Sequence, residues 1–185
     1  MNTCFIIGNG PSFNRVPAGL LESVPTFGMN YAGFQPIYYV CVDSDILTNH
    51  AEEIRPLVEG AKIAFISELL KGINSLYDLP NTVNVGKDQR SFKAEQYMSG
   101  FTAAYVALKA AYYLGFQEVR LYGVDHSLDW AHYKEDYPAG APDRARRMAV
   151  METHYQLAAN VYARAGRTIV NHSNPSRLDK IFRRA

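Results

Sequence analysis

Residues 4–12 read Cys4-Phe5-Ile6-Ile7-Gly8-Asn9-Gly10-Pro11-Ser12, an apolar run ending in a turn that holds two glycines, an asparagine, a proline and a serine. Four hydrophobic residues stopped by glycine read as a buried parallel strand. Such a strand delivers the backbone to the carboxyl edge of a sheet, where open α/β folds bind ligands. Gly8 and Gly10 let the main chain approach a ligand or take positive φ, Asn9 and Ser12 offer short donors and acceptors, and Pro11 stiffens the turn. The stretch has the outline of a phosphate or nucleotide cradle, although a ligand-free strand-to-loop turn uses the same residue types. Two commoner cradles are excluded. Pro11 and Phe13 stand where a G-x-G-x-x-G fingerprint would continue, and no Gly-Lys-Ser/Thr closes a P-loop.

Outward from this turn, apolar runs of strand length recur at residues 26–29, 38–42, 63–66, 83–85, 119–122 and 168–170. Helical spacing fills several of the intervals. Asp45 is placed to cap a helix carrying Leu47, Ala51, Ile54 and Val58 on one face, which Pro56 is expected to end early. Ser99 is placed to cap a longer one, with Phe101, Ala104, Tyr105, Leu108, Ala111 and Tyr112 at helical spacing and Gly115 at its C-terminal stop. A third, from about residue 143 to 165, repeats Met148, Met151, Tyr155, Ala158 and Tyr162 before Gly166. Strands alternating with helices predict right-handed crossovers. The expected fold class is therefore α/β: a single domain over residues 1–185, with a mainly parallel sheet flanked by helices.

Composition sets the bounds. A chain of 185 residues, 48% hydrophobic and 20% charged, needs no staples to build a core, and no run reaches the roughly 18 apolar residues of a membrane span. The start lacks a basic leader, and Cys4 and Cys41 sit inside apolar runs, so reduced thiols and a cytoplasmic, at most membrane-peripheral, location are expected. A net charge of +1 argues against a nucleic-acid partner bound by bulk electrostatics. From residue 144 to 185, however, nine Lys or Arg stand against only Glu152 and Asp179. This reads as a solvated basic face or as a contact for phosphate or an acidic membrane.

In a parallel sheet, the strand ends bring Asn9, Asn30, Asp43 and Asp125 to one edge. Ser99-Gly100 would add a helix N-terminus suited to phosphate. Asp43-Ser44-Asp45 resembles the Asp-x-Asp with which sugar transferases hold Mg²⁺ or Mn²⁺, while Asp45 fits equally as a helix cap. The loop of about 19 residues from 124 to 142 has the length of a lid and carries His126 and His132. His132, followed by Tyr133, is the first candidate for a general base, since imidazole titrates near neutrality. His126 is the second, with Asp125 as its orienting carboxylate.

Taken in order, IIGNGPS, MNYAGF, SGFTAAYVALKAAYYLGFQEVRLYGVDHS, HYKEDYPAG and RTIVNHSNPSRLDKIF resemble the Rossmann-like family called domain of unknown function 115. That family is related to the bacterial sialyltransferases of glycosyltransferase family 42 and includes archaeal 6-hydroxymethylpterin pyrophosphokinases. From the sialyltransferase side the resemblance implies a CMP-sugar site in which Asn9, Gly10, Ser12, Asn30, Ser99 and Gly100 hold the nucleotide. It also implies a histidine base and no required metal.

These readings converge on a glycosyltransferase of surface polysaccharide assembly, which would move a sugar from a nucleotide-sugar to a glycan acceptor with inversion. Its nucleotide site would comprise Gly8, Asn9, Gly10, Ser12, Asn30, Asp43, Ser99 and Gly100, and His132, His126 and Asp125 would carry the chemistry. The alternatives are an ATP-dependent pterin pyrophosphokinase, with Mg²⁺ or Mn²⁺ at Asp43 and Asp45, and a non-catalytic nucleotide-binding module. The sequence leaves a homo-oligomer open.

Overall fold

The computed structural model describes residues 2–17, 19–68, 75–86, 102–127, 144–173 and 176–185. All seven expected strands form: β1 Thr3–Ile7, β2 Thr26–Met29, β3 Tyr38–Cys41, β4 Ile63–Ser67, β5 Thr82–Val85, β6 Glu118–Tyr122 and β7 Thr168–Asn171. An eighth, β8 Arg183–Arg184, was not expected, since two consecutive arginines carry no strand signal. The sheet order is β5-β4-β3-β2-β1-β6-β7-β8, and every described pair is parallel. The α/β expectation holds.

The helices are α1 Leu20–Ser23, α2 Ser44–Asn49, α3 Ala51–Gly60, α4 Ala103–Tyr113 and α5 Arg144–Arg164. Three differ from the sequence reading. Asp43, not Asp45, caps α2, because its carboxylate accepts from the Asp45 amide at 2.9 Å. Pro56 lies inside α3, at the sixth of its ten residues, instead of ending it, and the helix runs on without the intrahelical bond that its missing N–H would make. Thr102 caps α4, its hydroxyl accepting from the Ala104 amide; Ser99, Gly100 and Phe101 lie outside the described residues. Gly115 and Gly166 stop α4 and α5 at φ +86 and +68, as their positions predict.

The sheet is buried on both faces by different means. On one, Cys4, Ile6, Phe27, Val40, Val119 and Leu121 pack against α4 and α5. On the other, Tyr39, Cys41, Ala64 and Ile66 pack under α2 and α3, while Phe5, Ile7 and Tyr122 are covered by Phe13, Val16, Leu20 and Leu21 from the connection after β1. No helix among the described residues is long and apolar enough to cross a membrane. In the basic C-terminal part, Arg146, Arg147, Arg164, Lys180, Arg183 and Arg184 are exposed.

Candidate functional site

The strand order places the crevice. From β1 the chain runs outward through β2, β3, β4 and β5, then returns to β6 on the other side of β1. The loops leaving β1 and β6 therefore diverge in opposite directions at the carboxyl edge, and ligands of open α/β sheets bind at that switch. Gly8, Asn30, Asp43 and Gly123 all follow parallel strands and lie at this one edge, as expected.

At the switch the two loops are laced together. The Gly8 amide donates to the Tyr122 carbonyl at 2.7 Å and the Gly10 amide to the Gly123 carbonyl at 2.8 Å. The Gly123 amide donates to Ser12 Oγ at 2.9 Å, and the Ser12 amide to Asp125 Oδ2 at 2.9 Å. A Cβ on Gly8 would stand 2.4 Å from the Gly123 carbonyl oxygen, and one on Gly10 2.1 Å from Asp125 Oδ2. The glycines are thus required by the approach of chain to chain. Neither Gly8 nor Gly10 takes positive φ; here the left-handed residues are Gly123 at φ +65, Asn30 at +50 and His126 at +46. Ser12 is 3% exposed, so its amide and hydroxyl oxygen serve to fasten the turn.

Asn9 and Asn30 form the next layer. Asn9 Nδ2 donates to the Met29 carbonyl at 3.0 Å, tying the turn to the end of β2. The Asn30 carbonyl accepts from the Tyr39 hydroxyl at 2.6 Å, which fixes its left-handed backbone. Asp43 lies one strand further out, exposed and occupied in capping α2, and Asp45 Oδ1 accepts from Asn49 Nδ2 at 2.7 Å. Among the described residues no group of three His, Cys, Asp or Glu is placed to hold a metal ion.

Asp125 and His126 face opposite ways. Asp125, 8% exposed, turns toward the β1 loop, and its Oδ1 makes no hydrogen bond. His126 turns toward α5, its ring edge-on to Tyr155 with centroids 5.5 Å apart. The carboxylate beside its imidazole is therefore Glu152, with Oε1 3.5 Å from Nε2, and not Asp125. Glu152 is held in turn by Arg177, whose Nε donates to Oε1 at 2.8 Å. Burial pulls the His126 imidazole below its ordinary pKa; Glu152 opposes that shift, while Arg177 reinforces it. The sequence had displayed Glu152 only as an isolated acid in a basic segment. Its place four residues after Met148 and three before Tyr155, both inward-facing, was the available signal.

His132, like Ser99 and Gly100, lies outside the described residues. His50 accompanies Glu53 at 2.8 Å on the surface of α3, and His154 Nδ1 lies 2.9 Å from the Val150 carbonyl within α5. His172 stacks on Tyr122 with centroids 4.5 Å apart, and burial lowers its pKa.

No family model and no curated protein matches this sequence. Solved structures do. The chain superposes on the sialyltransferase CstII from Campylobacter jejuni in complex with a substrate analogue, CMP-3FNeuAc, with a TM-score of 0.63 and 15% identity, covering 100% of this chain and 86% of that one. A structure of CST-II with a trisaccharide acceptor and CMP gives a TM-score of 0.61 and 16% identity over 99% and 86%. The apo α-2,3-sialyltransferase from Campylobacter jejuni gives 0.53 and 17% over 98% and 79%. The likeness shows a shared fold across the chain.

Proposed function

We propose that this chain is a glycosyltransferase that binds a nucleotide-sugar at the β1/β6 crevice and transfers the sugar, with inversion, to a glycan acceptor in surface polysaccharide assembly. The observation that carries the reading is the laced turn at the switch in strand order. It holds Asn9 and Asn30 side by side at the carboxyl edge of a sheet whose structural neighbours were crystallised with CMP and CMP-3FNeuAc. The N-terminus of α4 opens toward the same edge, because α4 leads back to the start of β6. Ser99 and Gly100, just before it, are proposed to receive the departing phosphate there. A histidine after β6, His132 or His126, takes the acceptor proton. The work is assigned to the cytoplasm, at or near the membrane, with no metal required.

A thermal-shift panel of CMP, CDP, UDP, GDP and ATP, each with and without Mg²⁺, tests this. A ligand at about 100 times its dissociation constant adds roughly 2.7 kcal/mol, so CMP should raise the midpoint without Mg²⁺. A response confined to ATP with Mg²⁺ would move the protein to the pyrophosphokinase class.

A further inference from the structure

We propose that Tyr31, His50 and Glu53 form the subsite that holds the acceptor glycan, and that it takes an uncharged, hydroxyl-rich sugar end. The inference rests on the transferase reading above and names its acceptor class.

The place is set by the loops after β2 and β3. Tyr31 follows Asn30, and His50 is the corner residue between α2 and α3, which set out from the same edge of the sheet. The two rings meet edge-on with centroids 5.7 Å apart. A phenol and an imidazole thus stand together next to an asparagine of the crevice.

The pairing of His50 with Glu53 is not a helix cap. A capping glutamate at that spacing reaches back to the backbone amide of the residue that opens the helix, but the His50 amide already donates to the Ile46 carbonyl at 2.9 Å. The carboxylate meets the ring instead, with Oε1 2.8 Å from Nδ1. With Nδ1–H given to Glu53, His50 Nε2 and Glu53 Oε2 are left to bond hydroxyl groups. Both side chains are open to an incoming molecule, at 35% and 63% exposed. Beside them the half-exposed Tyr31 ring offers apolar surface to the C–H groups of a sugar. Aromatic surface with a few oriented polar groups is the make-up of a small-molecule subsite.

Charge selects the occupant. Partial burial, followed by the carboxylates of Glu53, Asp45 and Asp43, pushes the Tyr31 phenol up to about 12, so three acids bear on this one ring. A phosphate or a sugar carboxylate held here would be repelled by them. The anionic donor has its place across the edge. Helices α2 and α3 cover one face of the sheet and α4 the other, and the N-terminus of α4 is a pole that attracts anions. The α2–α3 side is left to the reactant without charge.

The test is the full chain with CMP-N-acetylneuraminic acid as donor and a panel of neutral oligosaccharides and their sialylated counterparts as acceptors, following release of CMP. Binding of the neutral sugars to the CMP-saturated protein is read separately by saturation-transfer NMR. Glu53→Gln and Tyr31→Leu should raise the acceptor KM about tenfold and weaken the NMR signal, with CMP affinity within about twofold of wild type. Glu52→Gln, whose carboxylate pairs with Arg55 at 2.9 Å, should change neither. Glu53 is exposed on its helix and carries the test even where Tyr31→Leu melts early. An unchanged acceptor KM in Glu53→Gln, a change in donor KM alone, or a wild-type preference for the sialylated acceptors would overturn the inference by itself. So would a wild-type protein that binds CMP but none of the neutral sugars. A wild-type protein that binds no CMP would overturn the transferase reading and this subsite together.

Discussion

At the residue scale, Gly10 shows why a glycine-rich turn is ambiguous. Its missing side chain looks like room for a ligand, but the room is taken by Asp125 and the Gly123 carbonyl. Gly10→Ala should therefore destabilise the protein by about 1–3 kcal/mol, as overpacking of a filled site does, and urea denaturation measures it. An unchanged midpoint would mean that the turn can part from β6. A variant intended to block nucleotide alone has to be sought at Asn9 or Asn30. Asp125→Ala should cost about 1.5–3 kcal/mol by stranding the Ser12 amide, and Asp125→Asn clearly less, because an amide oxygen still accepts. Equal losses in the two variants would show that the charge, and not the hydrogen bond, matters.

At the element scale, every strand with an apolar run was legible, because burial on both faces leaves a continuous hydrophobic signature. Helix ends were less so. Asp43 and Asp45 both suit a cap, and only the chain's exit direction from β3 decides between them. Ser99 and Thr102 pose the same problem before α4, where Thr102→Ala should cost about 1 kcal/mol in thermal or urea unfolding; no loss would point to a cap further upstream. The α4 sequence reads as amphipathic, yet residues 103–111 are all buried, since α4 lies between the sheet and α5. One of them is Lys109, whose ammonium is pulled down to about 8 by burial. Asp125 was found as a strand-end carboxylate, but its partner was not, because the direction of neighbouring side chains after β6 depends on the positive φ of Gly123 and His126, which no local pattern announces.

At the scale of the whole molecule, His126 and His172 give stability a pH dependence. Burial lowers both pKa values in the fold, so the unfolded chain takes up protons near the ordinary value of 6.5 that the native imidazoles refuse. Stability should be full above that pH and fall as pH drops below it, most visibly in urea midpoints compared at about pH 7.5 and 5.5. A flat profile would mean that both rings accept protons without disturbing their surroundings. The sheet order also sets the history of the fold. Cys4 of the central strand pairs with Val119, about 115 residues further along. At ribosomal speeds of about 5–20 residues per second, one side of that apolar strand waits roughly 6 to 23 s for its neighbour. During that time the newborn chain presents an open, hydrophobic β edge, and the cell's holding chaperones are its natural first partners.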